Sequence, residues 1–218
     1  MTVPMDWSIE PCGPRAWMAR FGDGLSAEVM ARALSVSRGL EENPPSGLRE
    51  FTMGYASVLL EFGDEAVPGP EEILETLQNA SSGELPSGRH IEIPVVYDGD
   101  DLEEVARRAG LSTEGVVRCH AGRDYHVWLL GFSPGFPYLG VLDEALHLPR
   151  RETPRPRIAA GSVAIAGAQT GIYPAESAGG WHVIGRTSRR MFDPGRNDPF
   201  LLRPGDSVRF VAVEDGDV

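Results

Sequence analysis

Four arginines fall within eight residues, at Arg150, Arg151, Arg155 and Arg157, and Pro149, Pro154 and Pro156 keep that segment out of a helix. An extended strip of guanidinium forks suits bidentate capture of a carboxylate or a phosphate. All 20 basic residues of the 218-residue chain are arginine. The absence of lysine excludes a Schiff-base lysine, a lysine general base and a GxxxxGK[ST] phosphate loop supplied by this chain.

Two other segments carry unusual chemistry. In 159–174, AAGSVAIAGAQTGIYP, small residues let backbone N–H groups approach a ligand, and Ser162, Gln169, Thr170 and Tyr173 add side-chain hydrogen bonds. In 131–140, GFSPGFPYLG, glycines and prolines fix a loop from which Phe132, Phe136 and Tyr138 project. Those aromatics could wall a pocket or plug the end of a barrel, and the segment alone leaves both open. His120 stands apart from the other histidines because it sits near a helix end, just before the strand at Tyr125.

Several chemistries lack their residues. There is no GxGxxG, no CxxC and no His/Cys/carboxylate cluster at metal spacing. The formal charge of −12 argues against a nucleic-acid partner, which needs a basic face. That charge is uneven: residues 1–117 hold 21 acids and 8 arginines, whereas 118–210 hold 8 acids and 12 arginines. The second half is where an anionic ligand is expected. Cys12 and Cys119 read as two reduced thiols. With no leader pattern and no apolar run of roughly 18 residues, a cytoplasmic chain away from membranes is expected.

The elements that must position these residues fall into two groups. Strands are expected at 7–9, 16–21, 48–53 and 57–62. Helices are expected from the N-cap Ser26 to the stop at Asn43-Pro44-Pro45, and over 70–80. This predicts an α+β protein with an N-terminal α/β domain at 1–84, and residues 80–88 read as a linker. A second domain, 85–218, begins with a strand at 90–97. Asp101 then caps a helix with Glu104 in a capping box, the helix ends at Gly110, and a further helix runs from Ser112. Short β runs between Gly and Pro follow at 127–131, 162–166, 181–185 and 207–213, as in a small barrel or sandwich.

At its motifs the chain resembles a known family. GFSPGFPYLG, TPRPRIAAGSVAIAGAQTGIYP, ESAGGWHVIGRT and PFLLRPGDSVRF are similar to the signature of the KipI/PxpB family, also called allophanate hydrolase subunit 1. The resemblance implies a C-terminal cyclophilin-like β-barrel. It also implies a heteromeric 5-oxoprolinase, a hydrolase in which this chain is the PxpB-type subunit, inactive alone. The partners would be a KipA/PxpC-type subunit and the ring-opening A-type subunit of 5-oxoprolinase. The cofactors would be ATP with Mg, with the nucleotide shared with or held by the partner. On that reading Arg155 and Arg157 hold phosphate or the substrate carboxylate, and Arg157 joins His120, the acid/base, as catalytic residue. Ser162, Gln169, Thr170 and Tyr173 orient the ligand, and Phe136 and Tyr138 wall it. The family also contains an inhibitor of a histidine kinase and carboxyltransferase-type domains acting on urea, and the sequence does not separate these branches.

Overall fold

Residues 7–22, 27–63, 67–80 and 88–216 are described by the computed structural model. The chain divides into two compact units, Met1–Pro86 and Ser87–Val218. The expected boundary at 84/85, the linker residues 81–87 and the expected cap Ser26 lie outside the described residues.

In the first unit β1 (Ser8–Pro11), β2 (Ala16–Arg20), α1 (Ala27–Glu42), β3 (Leu48–Met53), β4 (Ser57–Phe62) and α2 (Pro70–Ala80) follow one another. The strands form an antiparallel sheet in the order β1-β2-β4-β3. Helix α1 stops where Pro44 and Pro45 can no longer supply backbone donors. Helix α2 starts on Pro70, whose missing N–H is harmless at a first helical position, and buries Ile73 and Leu77 on one face. Those two close a core with Phe21, Val36, Leu40 and Leu60.

The second unit is a mixed α/β body. Its elements are β5 (His90–Val95), α3 (Leu102–Ala109), α4 (Thr113–Ala121), β6 (Asp124–Leu130), β7 (Pro137–Gly140), a 3₁₀ turn at Glu144–Leu146, β8 (Arg155–Ile158), β9 (Ser162–Ala166), β10 (Gln169–Ile172), β11 (Ser177–Gly179), β12 (His182–Arg186) and β13 (Ser207–Ala212). Seven strands pair in the order β12-β9-β10-β7-β6-β13-β5, while β8 and β11 form a separate ribbon. The β13–β5 pair is parallel and its neighbours are antiparallel. The sheet curls until its edge strands meet. Val96, just past β5, exchanges backbone hydrogen bonds of 2.9 and 2.8 Å with Arg186 at the end of β12.

That seam needs glycine. A Cβ on Gly185 would come within 2.6 Å of the Val96 carbonyl, and one on Gly99 would strike the backbone of Val183 and Ile184. Helix α4 starts at the expected place, and Ser112 caps it by accepting from the Gly115 N–H at 3.1 Å. The αL residue Gly110 (φ 68°) ends α3.

Asp101 departs from its expected capping box. Its side chain makes no cap hydrogen bond. It is buried and accepts instead from Arg151, Arg155 and the Val183 N–H, while Glu104 pairs with Arg107 one turn along. A cap hydrogen bond to a backbone N–H is weaker than bonds from two guanidinium groups out of water, so the tertiary partners win.

Candidate functional site

Beside the seam a cleft of about 420 Å³ opens, lined by Asp98, Gly99 and Asp100 on the β5–α3 loop and by Val183, Gly185 and Arg186 of β12. Its other wall comes from Arg155, Arg157, Ile158, Ala159, Ser162 and Glu176. Of the residues singled out from the sequence, the fold brings Arg155, Arg157 and Ser162 together here.

The end of the arginine strip, Arg155 to Arg157, becomes part of β8 because Pro156 bars a helix and the ribbon partner β11 supplies an edge, with Gly179 opposite Arg155. Asp101 pins the strip from behind. Its Oδ1 accepts from Arg155 Nη2 at 2.9 Å and also from Arg151, and its Oδ2 accepts from the Val183 N–H at 2.7 Å. Burial pushes the Asp101 carboxyl up. The Arg155 hydrogen bond, the Val183 N–H and the charges of Arg155 and Arg151 outweigh burial and hold it below the usual carboxylate range.

The outer arginines are paired differently. Arg157 donates from Nε and Nη2 to the two carboxylate oxygens of Glu176, at 3.0 and 2.7 Å, and that pair is exposed. Arg186 bridges Asp98 (2.9 Å) and Asp215 (2.7 Å), also in solvent. The cleft therefore holds Arg155, Arg157 and Arg186 against Asp98, Asp100 and Glu176, a formal balance rather than the cationic surface that the charge count suggests.

The remaining candidates lie elsewhere in the unit. Phe136 and Tyr173 are buried in a second core with Trp181. Phe136 sits at the centre, its ring 5.0 Å from Tyr138, 5.2 Å from Tyr173 and 5.5 Å from Trp181, in edge-to-face contacts. The loop reading of 131–140 changes as well. Pro137–Gly140 is strand β7, paired with β6 and β10. Gln169, opposite Ala166 and Gly140, belongs to the ladder of β10.

His120 is fully buried, with its ring 4.5 Å from Phe210. The Thr170 hydroxyl donates to the Ala164 carbonyl at 3.1 Å, so it accepts from His120 Nε2 at 2.8 Å. Nδ1 is then the acceptor for the Tyr97 hydroxyl at 2.7 Å. Burial pushes the imidazole down to about 3. A neutral ring with both nitrogens engaged and no exposure is a core connector between α4, β10 and the end of β5. That is a poor place for an acid/base, which must reach its substrate.

Asp98, Asp100, Glu176 and Arg186 of the cleft, and Asp101 behind it, are the residues that sequence reasoning missed. The acidic run Asp98–Asp101, shortly before the basic half that starts at 118, was the available signal. Two free thiols, Cys12 and Cys119, are exposed and half-buried. Among the described residues no three His, Cys, Asp or Glu side chains group to hold a metal ion, and no helix is long and apolar enough to cross a membrane.

The family profile described as "Carboxyltransferase domain, subdomain C and D" matches residues 7–202. Among curated proteins, the B-type subunit of 5-oxoprolinase from Escherichia coli O157:H7 is 50% identical over 172 residues, 70% of this chain and 79% of the relative. The B-type subunit of 5-oxoprolinase from Bacillus subtilis (strain 168) is 37% identical and aligns over 97% of this chain and 95% of its own. The crystal structure of TTHA0988 superposes with a TM-score of 0.82 at 46% identity, covering 92% of this chain and 40% of that one. This chain thus spans two fifths of that longer polypeptide. It belongs to the KipI/PxpB family, whose curated members here are B-type subunits of 5-oxoprolinase.

Proposed function

We propose that this chain is the PxpB-type subunit of an ATP-dependent 5-oxoprolinase and handles the substrate in its seam cleft. One observation carries the reading: a relative named as the corresponding 5-oxoprolinase subunit aligns with nearly the whole chain, cleft segments included. On this reading the chain acts in the cytoplasm with a KipA/PxpC-type subunit to phosphorylate 5-oxoproline, before the A-type subunit opens the ring to glutamate. The second unit is then a cyclophilin-like barrel, and residues 1–84 a domain of their own. Activating a lactam by phosphoryl transfer places negative charge on oxygens, which positioned cations and N–H donors stabilise.

Within the cleft Arg157 is an arginine a ligand can engage by displacing one exposed carboxylate, whereas Arg155 is held from behind by Asp101 and Arg186 is held by two carboxylates. Ser162 supplies a hydroxyl on the same wall. Phe136, Tyr138 and Tyr173 support that wall through the aromatic core, and Thr170 and Gln169 fix β10. The residues at hand do not fit a nucleotide site. No lysine is present, the cleft arginines face equal numbers of carboxylates, and among the described residues no three His, Cys, Asp or Glu side chains group to hold a metal ion. ATP and its metal belong with the KipA/PxpC-type partner.

The test is reconstitution. The chain with its A-type and KipA/PxpC-type partners is expected to release ADP in a 5-oxoproline-dependent assay, and Arg157→Gln is expected to lower turnover or substrate affinity at least about tenfold. No ADP release with all three present would overturn the assignment. The carboxyltransferase description of the family profile favours one other reading, use on urea or a related amide beside a biotin carrier. A biotin-dependent signal in place of ADP release on 5-oxoproline would select it.

A further inference from the structure

We infer that the cleft takes a small monocarboxylate and turns nucleotide phosphates away, and that Glu176 is a built-in competitor which the ligand's carboxylate displaces from Arg157. The inference deepens the substrate-handling role proposed above and rests on it. Three observations on one surface carry it.

The first is the geometry of the Arg157–Glu176 pair. Glu176 offers both oxygens to Nε and Nη2 of one guanidinium, at 3.0 and 2.7 Å. A substrate carboxylate would take the same fork-to-fork arrangement. Glu176 thus occupies the ligand's place at Arg157.

The second is exposure. The side chains of Arg157 and Glu176 are 75% and 54% exposed, whereas Asp101 behind Arg155 is 4% exposed. Exposed pairs are weakly held and exchange partners readily, and a pair with a buried carboxylate does not. Arg155 is therefore fixed framework, and Arg157 is the exchangeable donor.

The third is the charge balance. A single incoming carboxylate that takes the place of Glu176 at Arg157 adds one negative charge to the cleft. A triphosphate would add several negative charges beside Asp98, Asp100 and Glu176, with only Arg155, Arg157 and Arg186 to meet them, each already paired. The apolar floor of Ile158, Ala159 and Val183, with the Ser162 hydroxyl on the same wall, suits the methylenes and amide of one small ring.

Calorimetry on the full-length chain with L-5-oxoproline tests this, with ATP and inorganic phosphate as competitors. Glu176→Gln is expected to tighten 5-oxoproline binding roughly two- to fivefold, and Arg157→Gln to weaken it at least about tenfold. ATP and phosphate are expected to leave it bound. If the wild-type chain fails to bind 5-oxoproline, or Arg157→Gln binds as well as wild type, the cleft is not the substrate site and the underlying reading fails. If Arg157→Gln weakens binding but Glu176→Gln leaves it unchanged, only the competitor role is overturned. Displacement of 5-oxoproline by ATP or phosphate overturns the ligand class.

Discussion

Arg155 and Arg157 stand two residues apart on β8, yet one is framework and the other is free to exchange. Alternation along a strand puts both on the same face, so their difference comes from the carboxylate each one meets. Arg155 meets Asp101 where the sheet edges close, a carboxylate out of water that also accepts from Arg151 and Val183. Arg157 meets Glu176 in solvent at the mouth of the cleft. The same side chain thus acts as scaffold or as recognition element according to the dielectric around its partner.

The contrast between the two arginines is largest at the buried end. Asp101→Ala leaves two arginines and a backbone N–H facing an empty site, and is expected to cost about 3 kcal/mol of stability, read by urea denaturation. A loss no larger than that of an exposed pair would contradict the scaffold role.

Acid should act on the same interior. The folded pKa of His120, about 3, lies below the ordinary 6.5, so the unfolded chain takes up a proton that the folded chain refuses. The contribution of the neutral ring is complete above pH 6.5 and is lost progressively as pH falls towards 3. Asp101, also held below its usual range, loses its contribution at the acid end of that window. Unfolding free energies measured from about pH 7.5 to about 4.5 should fall more steeply in wild type than in His120→Gln. Equal slopes would mean that the histidine is not sealed.

At the exposed end the stability effect should be smallest. A double-mutant cycle on Arg157→Gln and Glu176→Gln is expected to give a coupling under about 1 kcal/mol. A coupling of several kcal/mol would make this pair framework too.

Much of the fold was legible because its signals are local. Pro44-Pro45 ends α1, Gly110 ends α3, Ser112 caps α4, and the expected spans 48–53, 57–62 and 70–80 agree with β3, β4 and α2. The short strands β7, β10 and β11 were hidden inside glycine- and proline-rich motifs, because a strand of three or four residues is defined by its neighbours in the sheet more than by its own composition. Asp101 shows the limit most clearly. Its position before a helix, three residues ahead of Glu104, satisfies every local rule for a cap, and a pair of arginines 50 and 54 residues away takes the side chain instead.

By itself the sequence determined that no lysine chemistry and no phosphate loop reside in this chain, that an arginine strip is extended, and to which family the motifs are similar. Those follow from residue type and near-neighbour spacing. Only the tertiary structure decided which arginines are neutralised, that His120 faces the core rather than the cleft, and that Phe136 and Tyr173 are buried in a core of their own. These depend on where the curled sheet brings its two edges together, and long-range closure sets burial, which in turn sets the strength of every charge.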